Sequence, residues 1–383
     1  MKNEKFVINE KEYSQKSVFI IAELGTSHGA DPEKAEELIE AAAEAGADCV
    51  KFQMVYANEI LHPKTGEVDL PGGKIRLYDR FKELELHPAF FAEMKEKAEK
   101  KGLVFLCTPF GLKSLRELYE LKPKCLKIAS PELNYTALLR ETANYGLPTL
   151  LSTGVSTLGD IEEALNTLME RTQNNPNNEK TSESAPKICL LHCVTAYPAP
   201  ENEYNLQVLG SLNAIFGYPV GISDHSLDPE LVPVLGVSQG AAVIEKHFCL
   251  SRDDKGLDDV IALPPAQFSQ MVKAIRHAEK LNPEEIITAL SREHGEDTIK
   301  NILGNGVKQL ASSEKSSYKR TNRSIHALID IKKGEIIEKT MFSSLRTEKI
   351  LRPGLPPSFE DLIIGRQARQ FIPIGEGIRF EDI

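Results

Sequence analysis

The sequence predicts an α/β protein: a parallel (β/α)₈ barrel of the TIM type followed by a small, β-rich C-terminal domain. Three observations predict it. Short runs of Val, Ile and Leu recur eight times between residues 18 and 248. Amphipathic, helix-like segments lie between consecutive runs, and that alternation means parallel strands covered on both faces. Finally, 383 residues are too many for one core, which stops growing at roughly 250–300 residues.

The first run, "VFIIAEL" (18–24), leads into "DPEKAEELIEAAAEAG" (31–46), the clearest helix. Asp31 can cap it, Pro32 fits its first turn, Ala35, Leu38, Ile39, Ala42 and Ala43 form one apolar face, and Gly46 can stop it. The later runs are "DCVKFQ" (48–53), "LVFLC" (103–107), "CLKIA" (125–129), "PTLLST" (148–153), "KICLLHC" (187–193), "PVGIS" (219–223) and "AAVIEKHF" (241–248). A closing helix around 265–281 completes a barrel over residues 1–281. An open doubly wound sheet is the competitor, disfavoured by eight strands and the lack of a GxGxxG turn. Residues 282–320 read as a helical stretch and linker. Residues 321–383 carry short β-prone runs with "KKGE" and "IGEG" turns. The polar insertion "RTQNNPNNEKTSESAPK" (171–187) is expected to be a loop on the face away from the functional rim.

Composition excludes several partners. Lys and Arg number 46 against 56 Asp and Glu, a net charge of −10, so neither nucleic acid nor an anionic membrane is expected as partner. The N-terminal residues lack the apolar core of a secretion signal, and no run approaches the roughly 18 apolar residues of a membrane span. The expected location is cytoplasmic. Six cysteines, Cys49, Cys107, Cys125, Cys189, Cys193 and Cys249, fall mostly inside apolar runs and read as reduced core thiols; "CLLHC" is core packing before it is a metal pair.

In such barrels chemistry sits where strands run into the following loops, and these ends carry unusual residues. They are Glu23; Lys51 and Gln53; Lys127, Ser130 and Glu132; Ser152 and Thr153; Thr195 and Tyr197; Ser223, Asp224 and His225; Glu245, Lys246 and His247. Any one of them is more often a satisfied structural group. Seven strands contributing to one rim read as an active site. Lysines with serine and threonine hydroxyls suit a phosphate or carboxylate. His225 and His247 could bind a divalent metal with positions left open, and Glu23 and Glu132 are candidate acid and base groups. Lys127, in the middle of an apolar strand, needs either a carboxylate or a ligand anion as partner, and the surrounding residue types point to a ligand anion.

"IAELGTSHG", "KFQ", "LPGG", "FLCTPF", "KIASPE", "LLSTGVS", "LHCVTAYPAP", "GISDHSL", "EKHFCLSRDDKGLD" and "ILRPGLPP" together resemble, in order and spacing, the sialic acid synthase family. The resemblance covers nearly the whole chain. It implies condensation of phosphoenolpyruvate with an N-acetylated mannosamine-type sugar to a nine-carbon 2-keto acid, on a barrel with a C-terminal antifreeze-like (SAF) domain, in a homodimer that swaps that domain. By motif, Lys51, Lys127, Ser130, Ser152, Thr195 and Ser223 would hold phosphoenolpyruvate. His225 and His247 would bind Mn²⁺, with Mg²⁺ or Co²⁺ as alternatives, and Gln53, Tyr197, Asp258 and Arg352 would contact the sugar, Arg352 from the partner chain. Ser27-His28, Gly72-Gly73, Pro131 and Thr195 depart from the N-acetylmannosamine branch, while other motifs divide between the pseudaminic and the sialic/legionaminic branches. The acceptor sugar stays open. Two other readings stand beside the synthase: a Schiff-base aldolase using Lys127, and a non-catalytic sugar-binding protein.

Overall fold

The computed structural model describes residues 5–70, 73–174, 187–254 and 256–383. A short antiparallel hairpin, β1 (Phe6–Ile8) and β2 (Lys11–Tyr13), precedes the barrel. The barrel strands are β3 (Phe19–Gly25), β4 (Cys49–Met54), β7 (Val104–Pro109), β8 (Leu126–Ile128), β9 (Thr149–Ser152), β10 (Ile188–Cys193), β11 (Val220–Asp224) and β12 (Val243–His247). All their pairings are parallel, in the spatial order β7-β4-β3-β12-β11-β10-β9-β8. Contacts between β7 and β8 close the ring. Each strand coincides with one of the eight apolar runs.

The first helix forms as its sequence dictates. It spans Pro32–Glu44, Asp31 accepts from the backbone N–H groups of Glu33 and Lys34, and Ala35, Leu38, Ile39 and Ala42 are buried. The closing helix spans Pro265–Ala278, and two further helices follow, Pro283–His294 and Glu296–Leu303. Among the described residues no helix is long and apolar enough to cross a membrane. Residues 175–186 of the polar insertion lie outside the described residues; the helix before them runs to Asn174.

Side chains alternate on the strands, so each strand feeds two cores. One face packs on the surrounding helices. The other fills the barrel: Phe19, Ile21, Cys49, Leu106, Cys125, Leu150, Cys189, Leu191 and Val243, with Phe6, Ile8 and Tyr13 of the hairpin closing the N-terminal end. That apolar fill occupies only the lower barrel. The long connection after β4 holds a hairpin, β5 (Glu67–Leu70) with β6 (Gly73–Arg76), and packs through Ile60 and Leu61 near Phe110. The C-terminal domain has its own core and one antiparallel pair, β13 (Arg323–Ala327) with β14 (Phe342–Arg346). It rests on the C-terminal end of the barrel of its own chain, and a bridge joins Leu61 to Arg346.

Candidate active site

Two residues above the apolar fill, the inward positions become charged. Glu23, Lys51, Lys127, Ser152, Ser223 and Glu245 are all buried there, and each side chain finds a partner inside the barrel. Lys51 Nζ lies 2.9 Å from Glu245 and 3.3 Å from Glu23. Lys127 donates to Ser152 Oγ at 2.7 Å and stands 3.7 Å from Glu245. Ser223 donates to Glu245 at 2.8 Å, and Gln53 donates to Glu23 at 2.6 Å. The carboxylate that Lys127 needs is therefore Glu245, a strand-end residue to which sequence reasoning gave no role. It stands at ion-pair distance of two lysines at once.

The electrostatics follow from this sharing. Burial pushes Glu23 up to about 7, with Glu245 adding to the push and Lys51 opposing it. Burial would also raise Glu245, but Lys127 and Lys51 hold it down at about 2. Lys51 stays above its ordinary value because Glu23 and Glu245 outweigh burial. Lys127 does not: burial lowers it to about 8 against the pull of Glu245. One ammonium is thus well served and the other is short of negative charge, an arrangement that an incoming anion completes.

Ser130, Ser152 and Thr195 border the same space from neighbouring loops. Gly154 N–H donates to Ser130 Oγ at 3.0 Å. A Cβ at Gly154 would stand 2.2 Å from Thr195 Oγ1 and 2.9 Å from Ser130 Oγ, so only glycine lets these hydroxyls converge.

His225 and His247 face each other with ring centroids 5.5 Å apart. His225 Nδ1 lies 2.9 Å from Val194 O and donates to it, so Nε2 is the nitrogen that could act as a ligand in the neutral ring. Cys193 Sγ lies 3.7 Å from the same Nδ1. Burial opposes protonation of His225, but Cys193 and Val194 O hold it up at about 9, while burial and the charge of His225 push His247 far below its usual value. His225 and His247 are the residues that would hold a divalent cation, although among the described residues no three His, Cys, Asp or Glu side chains are grouped to hold a metal. Two imidazoles would leave its other positions to substrate and water. Tyr197 stacks on His225 at 4.3 Å, and Asp258 Oδ2 is 3.9 Å from His247 Nδ1.

Not every predicted residue joins this group. Glu132 is fully buried, and its Oε1 receives Arg323 and Arg346 of the C-terminal domain, with nearest distances of 2.9 and 2.7 Å. Two guanidiniums on one oxygen make it an anchor between domains, not the free acid or base expected of it. Its Oε2 has no partner among the described residues. Arg352, expected to reach a partner chain's site, is held within its own C-terminal domain in the single chain. It donates to Asp382 at 2.5 Å and to Gly377 O at 2.9 Å, inside the C-terminal domain. Arg346, at the end of β14, is the arginine that joins Arg323 on Glu132. The "RPG" turn suggested Arg352, but β14 ends six residues earlier, at "SSLR". Lys246 and Asp224 also leave the rim: they pair at 2.5 Å on the outer face of the strands. Gly73 opens β6 of the loop after β4, whereas Pro71 and Gly72 lie outside the described residues.

Residues 38–286 match the NeuB family, and residues 322–383 match the SAF domain. The chain is 34% identical over 335 residues to the N,N'-diacetyllegionaminic acid synthase of Campylobacter jejuni, covering 86% of this chain and 91% of that protein. It is 32% identical over 375 residues to a Campylobacter jejuni pseudaminic acid synthase, covering 96% and 97%. The crystal structure of the spore coat polysaccharide biosynthesis protein SpsE of Bacillus subtilis is similar with a TM-score of 0.80 at 32% identity, over 99% of both chains. On matches of this extent, at the level of both sequence and fold, the chain belongs to the NeuB family.

Proposed function

We propose that the protein condenses phosphoenolpyruvate with the open-chain form of an N-acetylated mannosamine-type, or diacetamido-trideoxy, hexose, giving a nine-carbon 2-keto acid and phosphate. The observation that carries this reading is the buried layer of Lys51, Lys127, Glu23, Glu245, Ser152 and Ser223, with the Ser130 and Thr195 hydroxyls nearby. It is short of negative charge at Lys127 and adjoins the two histidines. Relatives named as legionaminic and pseudaminic acid synthases support it.

In this reading Lys51, Lys127 and the four hydroxyls neutralise and orient the phosphate and carboxylate of phosphoenolpyruvate. A divalent cation, Mn²⁺ with Mg²⁺ or Co²⁺ as alternatives, would be held by His225 and His247 and supplies polarisation of the sugar aldehyde when bound. C3 of phosphoenolpyruvate bonds to the aldehyde carbon, whose oxygen takes the proton that Glu23 holds near neutrality. Water then adds at C2 and returns a proton to Glu23. The C2–O bond to phosphate breaks, and the hydroxyl proton at C2 leaves with the phosphate. Gln53, Tyr197 and Asp258 would contact the sugar, together with an arginine of a C-terminal domain, Arg346 or Arg352.

Phosphate release from phosphoenolpyruvate with Mn²⁺ tests the proposal, run with N-acetylmannosamine, its 6-phosphate and the two diacetamido-trideoxyhexoses. Release with one sugar, abolished by EDTA, is expected; silence with all four from folded protein defeats it. One observation favours a second reading. Lys127, lowered to about 8, is nucleophilic enough for a Schiff-base aldolase, and borohydride trapping of substrate on Lys127 would establish that chemistry instead. A swapped homodimer would exchange the Arg346 contact between chains. Mixing Arg346→Ala with His247→Ala chains restores activity only if sites are shared.

A further inference from the structure

The segment joining the two domains enters the barrel rim at the loop that follows β9. Lys308 donates to Thr153 O at 2.8 Å, Asn322 donates to Val155 O at 3.2 Å, and Glu314 Oε1 accepts from Val155 N–H at 2.7 Å. The same Glu314 oxygen accepts from Thr195 N–H at 2.8 Å, so one carboxylate joins the loops after β9 and β10. Its Oε2 accepts from Ala311 N–H at 3.1 Å. Glu314 is 1% exposed, Lys308 8% and Asn322 6%. Val155 itself has φ +40°, a left-handed conformation that a β-branched residue adopts only when its surroundings impose it.

These contacts bear on the anion pocket. Between Thr153 and Val155 lies Gly154, whose N–H holds Ser130 Oγ and whose missing side chain makes room for Thr195. Relaxation of Val155 to an ordinary backbone conformation would rotate Gly154 and separate Ser130, Ser152 and Thr195. We infer that Glu314 is a positioning residue, outside the barrel strands, that fixes the loops after β9 and β10 and thereby sets the affinity for the phosphate-bearing substrate, with Lys308 and Asn322 completing the clamp. Docking of the joining segment and assembly of the anion pocket are then one event. The inference rests on the proposed use of phosphoenolpyruvate.

The test uses the full chain as wild type, Glu314→Ala, Glu314→Gln and Asn322→Ala. Phosphoenolpyruvate binding is measured by calorimetry, with KM for both substrates, kcat, and hydrogen exchange at the Val155 and Thr195 amides. Glu314→Ala should weaken phosphoenolpyruvate on the order of tenfold, speed exchange at both amides, and leave kcat and the sugar KM within about twofold. Glu314→Gln keeps an oxygen acceptor and should recover most of the loss; Asn322→Ala should give the same pattern, smaller. Unchanged phosphoenolpyruvate affinity in folded Glu314→Ala, or a loss in kcat alone, overturns the inference. If Glu314→Ala does not fold, Asn322→Ala decides by the same readouts. If the wild type binds no phosphoenolpyruvate, the functional reading has failed. Inorganic phosphate as probe and exchange at Val155 and Thr195 then decide the clamp, and unchanged values in Glu314→Ala defeat it.

Discussion

Two buried lysines on opposite faces of the barrel wall show how the same chemistry is put to different ends. Lys246 points outward and is saturated: Asp224 at 2.5 Å, Ser226 O at 2.6 Å and Ser226 Oγ at 3.1 Å surround its ammonium. Asp224 in turn accepts from Tyr204 OH at 2.6 Å and from Ser226 N–H at 2.9 Å. Lys127 points inward, holds only Ser152 at hydrogen-bond length apart from a longer approach to Ile128 O, and shares Glu245 with Lys51. Neighbouring residues of β12, Glu245 and Lys246, serve the two sides. A satisfied pair holds the wall together, whereas an under-served cation is a place prepared for a ligand.

The comparison breaks most sharply on stability. Lys246→Met leaves Asp224 buried without its cation and should cost about 3–5 kcal/mol, toward the lower end because Tyr204 and Ser226 still donate to it. Denaturant unfolding measures this, and phosphate affinity of the remaining folded protein should be unchanged. Lys127→Met should behave in reverse. Glu245 keeps Lys51, so stability should hold or rise, while affinity for phosphoenolpyruvate falls about 10²–10³-fold. Equal destabilisation by both substitutions would erase the distinction drawn here.

This distinction was only half legible in the sequence. Strand periodicity placed Glu245, Lys246 and His247 at one strand end, but alternation assigns faces only once the register of the barrel is known. Lys246 and Asp224 therefore looked like rim residues until the fold turned them outward. The strands, the first helix and the convergence of Glu23, Lys51, Lys127, His225 and His247 were readable because each depends on local pattern. Arg346, Arg323 and Glu314 were not. Their meaning depends on where the C-terminal domain and its joining segment dock, contacts between residues as distant as Arg346 and Glu132, 214 positions apart, that no periodicity encodes. A buried polar pair such as Asn134 with Arg323 is equally invisible until the domains meet.

A smaller effect sharpens the electrostatic side. Glu23 carries its proton up to about 7, and Lys127 keeps its charge up to about 8. Raising pH through the first value adds a negative charge beside the anion pocket, and passing the second removes a positive one. Both changes act against a bound anion, so affinity for phosphoenolpyruvate should be greatest below about 7 and fall progressively from pH 7 to 9. Glu23→Gln, neutral throughout, should bind the anion with the first part of that decline gone. Calorimetric titration across this range measures it, and an affinity that rises with pH would contradict the sharing of Glu245 between two lysines.

The smallest expected effect separates two arginines six residues apart. Arg346 reaches Glu132 from the end of β14, with 11% of its side chain exposed. Arg352 is tied to Asp382 with 28% exposed. Arg346→Ala should raise the sugar KM about tenfold and weaken docking of the C-terminal domain, because it removes both a donor at the rim and half of the Glu132 anchor. Arg352→Ala leaves the buried Asp382 with Gln370 and the Arg379 N–H as donors, should cost about 1–3 kcal/mol of stability in that domain, and should leave the sugar KM where it was. The reverse pattern would mean that the domain moves on binding to bring Arg352 over the barrel. Glu132 would then be released from its arginines and available as the acid or base that its place on the rim first suggested.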